Sequence, residues 1–327
     1  MKEAQRAQKE RLNTPVLLLV FNRPESTKQV FNVIRKVKPL RLYIGADAAR
    51  ESCEGEREKV SQVRRIVSYV DWECEVRTLF HEENLGCKYA VSRGISWFFE
   101  NEQQGIILED DCLPNESFFF FCSELLDRFA YNERIMAICG TNIYQDFSSE
   151  ESYIFSKYSL MWGWASWRRA WKHHDLELTK WPDKKKLAHL RSIGLDKITS
   201  RIVWRSLLDR TSRGEINTWD YQWIYTCWEK SGLTIIPSRN LVKNIGFNSE
   251  ATHTSNPDPV KANLPMYSID FPLTHPQKIF PDENFDLFVG KHWFAETWIS
   301  ILKNALLRIY IIRVLNKLRK TISTKGN

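Results

Sequence analysis

The sequence lacks the cysteine patterns of a zinc site or a disulfide framework. Its seven cysteines are an odd number, and no two of them have C-x-x-C spacing, which is typical of unpaired thiols in a reducing compartment. The first 13 residues, MKEAQRAQKERLN, lack the apolar core of a signal peptide. No run of about 18 uncharged apolar residues, as a spanning helix needs, is present. We therefore expect a cytoplasmic protein, and peripheral contact with the inner face of the membrane stays open.

The sequence also lacks the glycine-rich phosphate-binding motifs. Neither G-x-x-x-x-G-K-[ST] nor G-x-G-x-x-G occurs, which argues against a P-loop ATPase and a dinucleotide-binding Rossmann domain. A phosphate-bearing ligand would therefore have to be held by a metal ion and cationic side chains. Arg23 is one candidate cation, and Lys88, at the start of a predicted helix, is another.

What is present is enough to build a full core. The chain has 327 residues, of which 43% are hydrophobic, so it forms one large domain or two modest ones. The 47 basic and 40 acidic residues give a net charge of +7, which fits an anionic ligand or surface. The excess of positive charge is unevenly distributed along the chain, since residues 303–320 carry six Lys or Arg and no acid.

Apolar runs and amphipathic segments alternate along the first 140 residues. Strands are predicted at residues 15–21, 40–47, 73–80, 105–111 and 135–140. Helices are predicted at residues 22–37, 55–69, 84–100 and 116–131. This alternation predicts an α/β fold with a mainly parallel sheet, in which ligands bind at the carboxyl ends of the strands.

The second half has a different pattern. Residues 160–171, LMWGWASWRRAW, are rich in tryptophan, and residues 184–212 and 217–232 predict helices. Residues 233–237 predict a short strand, and residues 255–293 predict a loop-rich excursion because they hold several prolines. A terminal helix is predicted over 295–320.

Three carboxylates form the end of the predicted fourth strand, in the stretch LEDDCLP. Glu109, Asp110 and Asp111 would lie where the strand meets solvent and ligand. They fit a polar turn before Pro114, or a site for Mg²⁺ or Mn²⁺, which take oxygen ligands. The second interpretation gains weight because other strand ends also carry ligand-suited polar groups, such as Arg23.

Several blocks resemble the GT-A glycosyltransferases. The order PVLLLVFNRP, IGADAAR and LEDDCLP is similar to their nucleotide-binding half, and LEDDCLP is similar to the acidic motif of N-acetylglucosaminyltransferase I. MWGWASW, TWDYQW and PSRNLVKNIGFNSEATH resemble later segments of that family, and the chain also resembles bacterial sugar-transferase-like proteins. The last 70 residues have no recognised counterpart.

The resemblance implies a GT-A-like domain organisation. Residues 1–13 would be a polar tail, residues 14–140 the nucleotide-sugar-binding half and residues 141–255 the acceptor and catalytic half. Residues 256–327 would form a loop-rich extension that ends in a basic helix.

The resemblance also implies residue roles. Arg23 would contact the diphosphate or base, and Asp47 the base or ribose. Glu109 would contact the donor sugar, Asp110 the ribose, and Asp111 the Mn²⁺ or Mg²⁺ ion. Asp220 would be the catalytic base, although it could instead cap a helix, for which Thr218 is an equally good candidate.

Other candidates have two open interpretations. Trp162, Trp164 and Trp219 would form an aromatic wall for the sugar or acceptor, or belong to the core. His253 would contact the donor or be structural, whereas the adjacent His173 and His174 point different ways on a helix and make a poor metal pair.

The predicted activity is transfer of a sugar from a nucleoside diphosphate donor, expected to be a UDP-sugar, to an acceptor hydroxyl with inversion. The resemblance implies a surface polysaccharide or lipid-linked glycan as acceptor, and we expect no nucleic-acid partner. A sugar nucleotidyltransferase and a non-catalytic glycan-binding scaffold are the alternatives. The terminal helix would pack on the domain or a partner, or else attach to anionic lipid.

Overall fold

The computed structural model describes residues 11–144, 150–247, 263–303 and 306. The helices are α1 (Pro24–Val37), α2 (Glu56–Ser68), α3 (Gly86–Asn101), α4 (Glu116–Arg128), α5 (Arg168–Trp171), α6 (Lys186–Ser192), α7 (Ile198–Ser212), α8 (Asp220–Glu229) and α9 (Glu283–His292). The strands are β1 (Val16–Val20), β2 (Arg41–Ala46), β3 (Glu75–Phe80), β4 (Gln104–Glu109), β5 (Cys112–Pro114), β6 (Ile135–Cys139), β7 (Tyr153–Ser156), β8 (Trp164–Trp167), β9 (Leu233–Pro237) and β10 (Val242–Asn244).

Eight strands form one sheet in the order β3-β2-β1-β4-β8-β6-β9-β7. The first four are parallel to one another. β8 runs antiparallel between β4 and β6, and β6 and β9 are parallel. Helices flank this sheet, so the predicted α/β fold is confirmed. A two-stranded ribbon of β5 and β10 lies apart from it.

The first half folds as its hydrophobic pattern predicts. Every residue of β1 is buried, because helices cover both faces of a central parallel strand. Helix α1 has proline at its start, which fits the first turn, and it buries Val30, Ile34 and Val37. The packing of α1 therefore fixes the position of the short connection between β1 and α1, which contains Arg23.

The second half departs from the prediction in two places, at residues 184–212 and 255–293, and no element was predicted for its tryptophan-rich stretch. The tryptophan-rich stretch forms strand β8 and the short helix α5, and both ends of β8 are buried. The predicted helix over 184–212 is two helices, α6 and α7, separated by a turn in which Gly194 has a φ of 96°, a conformation that glycine adopts readily. The predicted loop over 255–293 contains α9, whose first turn is capped by the Asp282 side chain through Phe285 N.

The C-terminal prediction is tested only at its start. Residues 298–303 and 306 are helical, and the rest of the predicted terminal helix lies outside the described residues, as does His253. Within the described residues, no helix is long and apolar enough to cross a membrane. Strands from both sides of residue 140 share the eight-stranded sheet, so the predicted boundary there does not separate two sheets.

Candidate functional site

The carboxyl ends of β1, β2, β3 and β4 lie along one edge of the sheet because these strands are parallel neighbours. The residues that follow them therefore line one edge, as the sequence predicts. β4 ends at Glu109, and Asp110 and Asp111 form a turn before β5. The carboxylates thus stand at the centre of this edge, next to the end of β1.

Arg23 joins the end of β1 to this turn. Its Nη1 lies 3.1 Å from Asp110 Oδ1 and 2.8 Å from Asp111 Oδ2. Phe21 N donates to Asp110 Oδ2 at 2.9 Å. One guanidinium therefore contacts both aspartates, and Asp110 is held by the backbone of β1 as well. The predicted contact of Arg23 with a diphosphate stays a prediction, and it would have to coexist with these ion pairs.

Negative charge exceeds positive charge in this turn. Burial and the neighbouring Asp111, Asp110 and Asp220 carboxylates raise the pKa of Glu109 to about 8. Burial also raises the pKa of Asp110, to about 6, although Arg23 opposes this. The Glu109 carboxylate accepts no hydrogen bond from the part of the chain that the structure describes. A cation or a hydrogen-bonding ligand at Glu109 would relieve the imbalance.

Asp111 is enclosed by the segment that follows the β5–β10 ribbon. Ile245 N donates to Asp111 O at 2.8 Å. A Cβ added at Gly246 would lie 2.8 Å from Asp111 Cβ, so only glycine lets the backbone pass this close. The ribbon therefore brings residues 245–247 against the predicted metal ligand, which explains the glycine in the NIGF block.

Asp47 has a structural role at the start of α3. Its Oδ1 accepts from Ala48 N and Leu85 N, both at 2.9 Å, and its Oδ2 accepts from Asn84 Nδ2 and Gly86 N, both at 3.0 Å. A carboxylate has about four acceptor positions, and here protein donors use all of them. The predicted contact of Asp47 with a base or ribose therefore has no acceptor position left in this arrangement.

Lys88 and Asn217 join α3 to the acceptor half. Lys88 Nζ lies 2.8 Å from Glu177 Oε2, so the predicted phosphate contact would require this exposed partner to be displaced. Lys88 N donates to Asn217 Oδ1 at 3.2 Å. Asn217 was not predicted, and a polar residue next to TWDYQW was the only signal for it. It holds the loop that leads to Asp220.

Asp220 is the first residue of α8 and lies near the carboxylates. Its charge contributes to the raised pKa of Glu109 and, with Glu109 and Asp111, to that of Cys87. Asp220 Oδ1 accepts from Thr218 Oγ1 and from Tyr221 N. Thr218 therefore orients the carboxylate by donating to it. The alternative interpretation, in which Thr218 caps the helix, is wrong, because α8 has no side-chain cap hydrogen bond.

The aromatic wall is corrected at two of its three positions. Trp164 and Trp219 are 1% and 3% exposed, and their rings stack on each other at 5.6 Å. They belong to the core, since a buried ring cannot stack on a sugar. Trp162 is half-buried and packs against Phe247 and Trp293, at 5.4 and 4.6 Å between ring centroids. An aromatic surface therefore lies beside Gly246, and α9's C-terminal neighbour Trp293 contributes to it.

His174, which is adjacent to His173, lies among aromatic side chains. The His174 ring stacks on Trp171 at 4.1 Å, and burial lowers its pKa to about 3. This histidine is therefore neutral and held in an aromatic environment, and the interpretation of the two residues as a poor metal pair stays a prediction.

A cleft of about 1010 Å³ opens at the ends of β2 and β3. It lies along α2 and is lined by Ala48, Arg57, Arg64, His81 and Asn84 among others. The cleft and the carboxylates lie along the same edge of the sheet. However, β3 and β4 are separated by three strand spacings, about 14 Å, so the cleft lies to one side of the carboxylates. His81 directly follows β3 and was not predicted, although its position at a strand end is the signal that indicated Arg23 and the carboxylates.

The residues present fit a metal ion only in part. No group of three or more metal-ligating side chains occurs in the described ranges. Mg²⁺ and Mn²⁺, however, are often held by one or two carboxylates together with substrate phosphates and water. Asp111, beside the charge-rich turn at Glu109, could supply that carboxylate.

No protein-family model matches the chain, and no curated protein matches it. Solved structures give weak likenesses. 4-Diphosphocytidyl-2C-methyl-D-erythritol synthase from Anaerococcus prevotii has 7% identity and a TM-score of 0.33 over 53% of this chain and 79% of that one. A UDP-glucose pyrophosphorylase complexed with UDP-glucose has 9% identity and a TM-score of 0.31, over 53% and 82%.

Mouse xyloside xylosyltransferase 1 in its apo form has 11% identity and a TM-score of 0.31, over 66% of this chain and 81% of that one. At these identities and TM-scores, the likenesses carry no inference about activity. The resemblance to N-acetylglucosaminyltransferase I is not tested by them and stays a prediction.

Proposed function

We propose that this protein transfers a sugar from a nucleoside diphosphate donor, expected to be a UDP-sugar, to a hydroxyl group of a glycan or lipid-linked glycan. The observation that carries the proposal is the carboxylate turn. Glu109, Asp110 and Asp111 stand at the carboxyl edge of a parallel sheet with Arg23 against two of them. Burial and the neighbouring carboxylates raise the pKa of Glu109 to about 8, and a divalent cation bound at the turn would offset this negative charge.

Asp111 would hold Mn²⁺ or Mg²⁺, which would neutralise charge on the departing diphosphate. Arg23, already fixed at the turn, would contribute a second positive charge there. Glu109 would accept hydrogen bonds from hydroxyl groups of the donor sugar, because its carboxylate accepts none from the described chain.

Asp220 would act as general base. It would take the proton of the acceptor hydroxyl as that oxygen bonds to the anomeric carbon, while the bond from this carbon to the diphosphate oxygen breaks. Thr218 Oγ1 and Tyr221 N both donate to Asp220 Oδ1, which fixes the orientation of the carboxylate. A single displacement of this kind inverts the anomeric configuration.

A sugar nucleotidyltransferase is the alternative within the same substrate class. Such an enzyme needs a long, glycine-rich and cationic loop after the first strand. Here α1 begins at Pro24, four residues after β1 ends, and Arg23 is committed to Asp110 and Asp111. This short connection favours sugar transfer. Release of pyrophosphate from UTP and a sugar 1-phosphate would favour the alternative.

The test is UDP binding by isothermal titration with and without Mn²⁺, comparing wild type with Asp111→Asn. The substitution keeps the shape of the side chain and removes its charge, so metal-dependent UDP affinity should fall about 10-fold or more. The matched control is Asp183→Asn, the same change at an exposed residue outside the site, and it should bind as wild type does.

Two outcomes would contradict the proposal. Equal UDP–Mn²⁺ affinity for Asp111→Asn and wild type would remove Asp111 as a ligand. Absence of UDP binding by the wild type would favour a non-catalytic scaffold. If the wild type binds UDP, a donor-hydrolysis screen over nucleotide sugars with Mn²⁺ or Mg²⁺ would identify the donor.

A further inference from the structure

The last described residues form a helix with an uncovered apolar face. Residues 298–303 and 306 are helical, and four large apolar side chains are more than half exposed: Trp298 at 55%, Ile299 at 68%, Leu302 at 60% and Leu306 at 65%. At about 100° per residue from Trp298, Ile299 and Leu302 lie at about 100° and 40°. These three side chains therefore share one face about 100° wide, the width of an amphipathic stripe.

The start of this helix is fixed to the domain. Glu296 Oε1 accepts from Trp204 Nε1 at 2.8 Å and from Tyr158 OH at 2.9 Å, and Ser200 Oγ donates to the other oxygen. Ser300 N donates to Thr297 Oγ1 at 3.2 Å, as in a helix cap. The exposed face is therefore displayed in a defined direction and is not a loose chain end.

The charge of the protein is concentrated beyond this point. Residues 297–327 contain seven Lys or Arg and no Asp or Glu. The whole chain has 47 basic and 40 acidic residues, so the preceding 296 residues have 40 of each and no net charge. The entire formal excess of +7 thus follows directly on the exposed apolar face.

We infer that this C-terminal face docks the protein on an anionic lipid surface. Apolar side chains that enter the boundary between headgroups and acyl chains, together with a run of basic residues, are the two features that interfacial helices combine. Trp298 at the start of the face fits the interface, where indole rings are favoured. Basic residues near an anionic surface each add to the attraction.

Other occupants fit less well. A second copy of this chain would bring seven positive charges against seven more, which opposes association. Nucleic acid would match the charge but would leave Trp298, Ile299, Leu302 and Leu306 without an apolar partner, because its accessible surface is dominated by phosphates. Both remain outcomes of the test.

The experiment is sedimentation of the full-length protein with vesicles of phosphatidylcholine containing about 30 mol% phosphatidylglycerol, with pure phosphatidylcholine vesicles for comparison. The test variant is Ile299→Glu/Leu302→Glu. The matched control is Tyr69→Glu/Tyr131→Glu, which adds the same two charges at aromatic residues that are 69% and 99% exposed elsewhere. Circular dichroism and the Tm check that both variants fold.

We expect the wild type and the control to bind the anionic vesicles, and the test variant to bind about 10-fold less or worse. Binding should weaken with pure phosphatidylcholine and with added salt. Equal losses in both variants would show a general charge effect and overturn the inference. The inference would also be overturned if the wild type did not bind anionic vesicles but bound duplex DNA, or if it dimerised through this face in ultracentrifugation. None of these outcomes depends on UDP binding.

Discussion

Glu109 lies in an environment that is poorly suited to its charge. Burial and the negative charges of Asp110, Asp111 and Asp220 raise the pKa of its carboxyl group, and the positive charge of Arg23 opposes them. Natural proteins keep such unfavourable groups mainly at functional sites, where a ligand compensates for the cost. The strain is therefore an argument for a bound cation or sugar at this point.

The pH dependence of stability tests this electrostatic account. The pKa of Glu109 is raised in the folded protein from 4.5 to about 8. An acid with a raised pKa favours the folded state while it is protonated, and that advantage is lost as the pH rises from about 4.5 to about 8. Glu109→Gln imitates the protonated form. Its free energy of unfolding should therefore equal that of wild type near pH 4.5 and exceed it increasingly as the pH rises.

At pH 8 the variant should gain about 1–3 kcal/mol, less than the full shift would give because solvent screens part of the charge. Thermal unfolding of both proteins between pH 4.5 and 8.5, without metal or nucleotide, measures the difference. If the difference in stability between the two proteins stayed constant across this range, the pKa of Glu109 would not be raised in the folded protein.

Asp220 should affect turnover and not donor binding. Asp220→Asn keeps the size of the side chain and can still accept from Thr218 and Tyr221, but it removes the base. We expect the transfer rate to fall about 10²–10⁴-fold with little change in UDP affinity. The kinetics of transfer and the anomeric configuration of the product by NMR are the measurements. Near-normal turnover, or a product with retained configuration, would exclude Asp220 as the base of an inverting enzyme.

The elements of the first half could be predicted because their signals are local. Strands β1 to β4 and helices α1 to α4 each show their own period or boundary residues. Strand β8 does not, since all four of its residues are buried and show no alternation. It becomes a strand through pairing with β4 and β6, which are distant in sequence.

Helix α9 was missed for a different reason. The prolines around it indicated a loop, yet Asp282 is a good capping residue and Phe285 and Val289, four residues apart, are both buried on one face. The local signal was present but was outweighed by the composition of the whole segment.

Helix α3 depends on the carboxylate of Asp47, which accepts hydrogen bonds from Asn84, Leu85 and Gly86 at the start of the helix and from Ala48 N as well. Asp47→Ala would leave these donors unsatisfied, and we expect a loss of about 2–4 kcal/mol in the free energy of unfolding. Asp282→Ala is the matched control, because it removes a cap with one such bond at α9 and should cost about 1 kcal/mol. Urea unfolding measures both. The UDP affinity of Asp47→Ala then decides the role of this residue. If Asp47 is structural, the substitution should lower the free energy of unfolding and leave UDP affinity nearly unchanged.

At the scale of the whole molecule, the site could be predicted in position but not in detail. Parallel topology places the ends of β1 and β4 side by side, so Arg23 and the carboxylates were expected at one edge. The engagement of Arg23 with both aspartates and the burial of Trp164 depend on packing between distant segments, which periodicity does not report. The same holds for the contact of Gly246 with Asp111.

The continuous sheet also bears on whether the two predicted halves can be separated. β4 pairs with β1 on one side and with β8 on the other, and Ile106 and Ile107 in β4 are 0% exposed. β6 pairs with β8 and β9, both of which lie beyond residue 140. A fragment of residues 1–144 would therefore expose a long apolar edge at β4 and leave β6 without either neighbour. Such edges favour aggregation.

We predict that the fragment of residues 1–144 does not fold alone, although it contains most of the predicted nucleotide-binding residues. It should be insoluble or lack cooperative unfolding by circular dichroism, and it should not bind UDP–Mn²⁺. A chain that ends at residue 303 is the control, because it keeps the ten strands found in the described residues and should retain both properties. A soluble fragment with cooperative unfolding and UDP affinity near that of the full chain would contradict this prediction. The nucleotide-binding half would then be an independent domain, and the shared sheet would be a docking contact between two units.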